Sequence, residues 1–155
     1  MLPLCLACGQ DAASRQASNL SDITYQDSLS VYPLTIDHVT RWVTVLARVS
    51  ATPGLRAPNF IMDSTLASQA TTLDDYPELL AGLDSVSLDR VDFVLTTGAM
   101  SSALWARREL ASGTALSSLK SIATAHLAFL EQYRDTLQAL GVLDMPVREH
   151  RAVTQ

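Results

Sequence analysis

Cysteine is nearly missing from this chain: Cys5 and Cys8 are the only two, and both lie in the first ten residues. From Gly9 to Gln155 the body therefore has no disulfide and no thiolate metal site to help it fold. Charge is sparse too, with 17% charged residues against 48% hydrophobic. Intrinsic disorder needs the opposite balance, so most of the chain should fold. Basic residues are outnumbered, 11 against 16 acidic, for a net charge of −5. A nucleic-acid binder needs a basic stripe to neutralise phosphates, and the only adjacent basic pair is Arg107-Arg108, so no nucleic-acid partner is expected. Long apolar runs are absent. The longest weakly polar stretch, Phe93 to Ala106, is interrupted by Thr96, Thr97, Ser101 and Ser102. It falls short of the roughly 20 apolar residues of a spanning helix. No strand-like alternation of any length occurs, and no repeat of fixed period. The motifs that announce metal, nucleotide or serine-hydrolase chemistry (H-E-x-x-H, a calcium loop, a glycine-rich phosphate loop, G-x-S-x-G) are missing as well. No catalytic residue, metal or cofactor is assigned.

What is present begins at the N-terminus. Met1 to Gly9 is short and apolar, and polar sequence follows abruptly. Leu6-Ala7-Cys8-Gly9 resembles the end of a bacterial lipoprotein signal, in which a small residue precedes the cysteine that is lipidated. The resemblance implies that Cys8 is the lipidation site, that residues 1–9 are a truncated signal, and that further residues precede Met1. Cys5 stands where such signals usually carry leucine. Two other readings stay open: a frayed terminus, and a Cys5-x-x-Cys8 redox or metal pair. Residues 10–31 are rich in Ser, Ala, Gln, Asp and Asn. They bury too little apolar surface to offset ordering entropy and read as a flexible tether. An acylated cysteine on a polar tether lets a domain stand off a membrane.

Residues 32–145 carry helical signals throughout. Leu34-Thr35-Ile36-Asp37 reads as a capped helix start, and Ile36, Val39, Trp42, Val43, Leu46 and Val49 follow along one face until Pro53-Gly54. A short helix is expected from Ser64 to Leu73, capped by Asp63 or Ser64. Another follows from Pro77, with Asp75 and Glu78 at capping-box spacing. Ser87 is the expected cap of a long helix to about Leu110, with Val91, Leu95, Gly98, Ser102 and Trp105 along one face. Gly98 and Ser102 would admit a close neighbour. After Gly113, a last helix carries Leu116, Leu119, Ala123, His126, Leu130, Tyr133, Leu137 and Leu140 at steps of three and four, ending at Gly141. Residues 146–155 read as a frayed tail. The expected fold is all-α: a single-domain bundle of about five helices with a flexible N-terminal segment.

His126 falls on the apolar seam, where a histidine is usually a core residue bonded to a carbonyl or water. His38 lies in a first helical turn and could meet His126 in space. With Gly98 and Ser102, these histidines are the candidate ligand-lining residues. Asp89 is accounted for by the helix dipole and Asp92 by solvent.

The string YPELLAGLDSVSLDRVDFVLTTGAMSSALW, from Tyr76 to Trp105, resembles small exported all-helical proteins and lipoproteins of Gram-negative bacteria that have no assigned biochemical activity. Leu34 to Val49 and Ala125 to Leu140 are similar to their flanking helices. The resemblance implies export and an all-α fold, and offers no active residues. The expectation is a cell-envelope lipoprotein on the periplasmic side, the outer membrane favoured because Gly9 follows Cys8. It would be held by a lipid anchor on Cys8 and act as a non-catalytic binding or support protein with an unidentified protein partner. A periplasmic bundle holding a small ligand or metal is the alternative, and a small hydrolase the second.

Overall fold

The computed structural model describes residues 23–55, 58–60 and 64–146. Cys5, Cys8 and the segment before Ile23 lie outside the described residues, as does the tail after Pro146. The helices run α1 (Tyr25–Val31), α2 (Ile36–Ala51), α3 (Leu66–Thr71), α4 (Pro77–Val86), α5 (Arg90–Ala111), α6 (Ser121–Ala125), α7 (Leu127–Gln132) and α8 (Arg134–Ala139). Short 3-10 turns follow α3, precede α6 and follow α8. The fold is all-α, as expected, but the helices are more numerous than the five expected.

Two physical causes account for the difference. The first is that Tyr25–Val31, expected as part of the tether, is a helix. Thr24 caps it by accepting the Asp27 N–H, and Tyr25 and Leu29, one turn apart, are fully buried. A polar composition concealed one apolar pair at helical spacing. The second is that the expected last helix is divided at His126 and Tyr133. Both depart from helical geometry, with φ −111° at each and ψ 9° and 23°. Each residue is tied into the segment that follows it, Leu130 N–H bonding to His126 C=O and Leu137 N–H to Tyr133 C=O. The segments thus follow one another directly along the chain. Leu116, expected on its seam, lies in a 3-10 turn and is exposed.

Several caps also differ from the sequence reading. Thr35 caps α2 as expected, accepting from the His38 N–H. Thr65, rather than Asp63 or Ser64, caps α3. Tyr76 precedes α4 without a side-chain cap, so Asp75 and Glu78 form no capping box. Ser87 does not start α5. It closes α4 in the left-handed region, with φ 53°, and Leu88 N–H bonds back to Leu83 C=O, a closure that satisfies orphan carbonyls. Arg41 donates to the Ser87 carbonyl and holds that turn. Asp89 caps α5 through the Val91 N–H.

Helix α5 is the centre of the molecule, packed by α1, α2, α3, α4, α6 and α7. Its burial does not follow the expected stripe, of which Leu95 is buried while Val91, Gly98, Ser102 and Trp105 are only partly so. Phe93, Val94, Leu95 and Thr96 are buried in succession, and so are Ala99, Met100, Ala103, Leu104 and Ala106. A helix enclosed on all sides has no polar face. Small side chains at Ala99, Ala103 and Ala106 let its neighbours approach closely.

Gly98 receives α1. A β-carbon there would lie 2.1 Å from Tyr25 Oη and 2.7 Å from Leu29 Cδ2. The Tyr25 hydroxyl donates to Val94 C=O at 3.0 Å. Gly98→Ala should displace that ring. Overpacking costs about 1–3 kcal/mol and the lost buried hydrogen bond about 1 more, against about 1 gained in helix propensity. Urea denaturation should show a net loss of about 1–3 kcal/mol. The loss should shrink in a Tyr25→Ala background, where the ring is gone.

Candidate functional site

The side chains with most chemistry gather around Tyr32, at the end of α1. Its hydroxyl is 2.9 Å from His38 Nδ1, 3.1 Å from Asp92 Oδ1 and 3.2 Å from Thr96 Oγ1. The rings of Tyr32 and His38 stack at 5.6 Å. Three elements supply this cluster: the extended residue after α1, the first turn of α2, and the first two turns of α5. A phenol has one proton. Donated to Asp92, it leaves the Tyr32 oxygen as an acceptor for Thr96 Oγ1 and for His38 Nδ1. Nδ1 then carries a proton, and Nε2 is the remaining acceptor nitrogen on a partly exposed ring. Such an arrangement can take a hydrogen-bond donor at Nε2.

A second polar tie lies one residue along α5. Trp42 Nε1–H donates to Thr97 Oγ1 at 2.9 Å, and Thr97 donates onward to Phe93 C=O. It fastens α2 to α5.

His126 is 7% exposed, with Nε2 2.8 Å from Leu29 C=O. The chain explains why that carbonyl needs a donor. In a continuing helix Leu29 C=O would accept from residue 33, but Pro33 has no N–H. His126 supplies the missing donor from a distant part of the chain, capping α1 from outside. His38 and His126 are therefore engaged by different groups, His38 by Tyr32 and His126 by a backbone carbonyl. Gly98 meets α1, like His126. Ser102, one turn further along α5, is partly buried. The lipidation candidate Cys8 lies outside the described residues.

Sequence reasoning passed over Tyr32 and assigned Asp92 to solvent. Asp92 is partly buried and accepts from Tyr32, so solvent alone does not account for it. Its position three residues past the cap Asp89 carries the same signature as an ordinary dipole-favoured residue. Only the arrival of Tyr32, 60 positions away, distinguishes it.

Burial pushes the Tyr25 phenol well above its ordinary range. Burial does the same to Tyr32, reinforced by the negative charges of Asp92 and Asp89 and opposed by the Thr96 hydrogen bond. Near α5's C-terminus, Leu104, Arg107, Arg108, Leu143 and Met145 line an open groove of about 360 Å³. Among the described residues there is no grouping of three or more His, Cys, Asp or Glu suited to a metal ion, and no helix long and apolar enough to cross a membrane. Comparison with protein-family models, curated proteins and solved structures finds no match to this chain.

Two predictions follow from these ties. His126→Leu leaves Leu29 C=O buried without a donor, which costs about 1–3 kcal/mol. His126→Gln keeps an N–H in reach and should recover part of it, as measured by thermal and urea unfolding. For Tyr25 and Tyr32 the folded-state pKa is raised above the ordinary 10.0. Their contribution is thus fully present below pH 10 and lost as pH climbs through the folded value. Alkaline titration should show these two phenolate absorbances appearing together with unfolding. Tyr25→Phe combined with Tyr32→Phe should remove that step.

Proposed function

We propose that the chain is a lipid-anchored protein of the bacterial cell envelope, on the periplasmic side, whose helical body binds or supports without catalysis. The observation that supports this reading is the fastening of α1, the element through which any load from an anchor at Cys8 enters the body. Tyr25 is bonded to Val94 C=O and Leu29 C=O to His126. Thr24 and Thr65 form an antiparallel bridge in which Tyr25 N–H donates to Ser64 C=O and Leu66 N–H to Ile23 C=O. Load is shared among contacts on three separate parts of the chain. The polar groups inside the body serve as ties of this kind, as with Trp42 to Thr97 and Tyr32 to Asp92 and Thr96. Leu6-Ala7-Cys8-Gly9 and the polar segment after it supply the anchor and the spacer.

A periplasmic bundle that holds a small ligand or metal draws on a single feature, the partly exposed His38 ring with Nδ1 engaged. A ligand of that kind would add its own mass to the native protein.

The deciding experiment is intact mass analysis of the protein extracted in mild detergent from its source cells. The expected result is a chain beginning at Cys8 with added acyl mass. Cys8→Ala should lose that mass and move the protein to the soluble fraction, with the melting temperature of the body unchanged. An unmodified chain beginning at Met1 in the wild type sinks the anchoring reading.

A further inference from the structure

Helix α1 packs on α3, α5 and α6 rather than on α2, the helix it leads into. It joins α2 through a very short link. Tyr32 is extended, and Leu34 N–H bonds back to Tyr32 C=O at 2.9 Å across Pro33. The cleft that receives α1 is shaped for it: Gly98 leaves room for the Tyr25 ring and Leu29, and Phe60 meets that ring edge-on at 6.1 Å. His126 and the Val94 carbonyl wait at defined places in the same cleft. All these contacts can be made equally well by α1 of another copy. Exchange at such a link leaves every arm contact remade in the other copy, so the two forms differ only at the link itself. The residue just before the link, Val31, is 79% exposed, the most exposed of the large hydrophobic side chains among the described residues.

We propose that α1 is an exchangeable arm, and that the chain forms a two-fold dimer in which Tyr25, Leu29 and Tyr32 of one copy fill the cleft between α3, α5 and α6 of the other. Tyr32 travels with the arm, so its hydroxyl then reaches Asp92 and Thr96 of the second copy. The closed monomer and the exchanged dimer share the same contacts, and concentration sets the balance. Copies held side by side on a membrane would favour the dimer. The proposal requires no anchor, so it stands or falls separately from the envelope reading.

The test refolds the full chain, reduced, at low and at high concentration and weighs the products by light scattering. A dimer that forms on concentrated refolding, and reverts slowly on dilution, is expected. Three glycines inserted after Pro33 should lower the dimer fraction roughly tenfold, because a longer link lets the arm fold back onto its own cleft. A complementation pair identifies the contact. Tyr25→Ala with Leu29→Ala disables the arm, and Gly98→Leu disables the cleft. Refolded together, the two chains should give a mixed dimer more stable than either chain alone, whether or not each folds by itself. Monomer at every concentration overturns the proposal. So does a dimer that is indifferent to the glycine insertion and shows no complementation.

Discussion

The arrangement depends on how closely other helices can approach α5. Helices pack at a separation set by the side chains between them, and α5 presents a hydrogen at Gly98 and single methyls at Ala99, Ala103 and Ala106. With six helices around it, a bulkier residue at any of these positions would push out a neighbour. Gly98 is the extreme case. Tyr25 lies where its side chain would be, and through Tyr25 the whole of α1 is brought into register with the core. The bond from Tyr25 to Val94 C=O and the bond from His126 to Leu29 C=O both depend on that approach.

The polar interior follows from the same geometry. Once α1 is seated, its chain must turn sharply at Pro33 to enter α2. Proline makes the turn and removes the donor that Leu29 C=O would have used. His126 restores it. The residue beside the turn, Tyr32, arrives next to Asp92 and Thr96 on α5 and His38 on α2; its single proton goes to Asp92, and its oxygen accepts from the other two. A buried polar group without a partner is costly. Among the described residues, no enclosed side-chain nitrogen or oxygen lacks a hydrogen-bond partner. The hydrogen bonds thus record where the backbone had to bend, and they join elements distant in sequence.

Under the proposed anchoring, load would enter the body through these same ties. Force applied to its first helix is resisted by contacts on α3, α5 and α6 together, through a short β-type bridge, a seated aromatic ring and a histidine cap. The short link to α2 is where the proposed exchange of the arm between copies opens.

Much of the fold was legible from local chemistry. The Thr35 cap, the stop at Pro53-Gly54, the proline start at Pro77, the long helix to Ala111 and the ends at Gly113 and Gly141 are set by backbone preferences and by hydrogen bonds within a few residues, and such signals are written locally. Gly98 as a point of close approach was legible for the same reason, since only a missing side chain creates the space. What the tertiary structure alone decided involves partners far apart in the chain. Asp92 reads as a solvated residue until Tyr32 meets it. His126 reads as a core histidine, but its bond to the carbonyl that Pro33 orphans cannot be inferred from spacing. Helix α1 reads as tether because seven residues with one apolar pair are too short to be stable alone. They become a helix when the cleft beside Gly98 buries that pair.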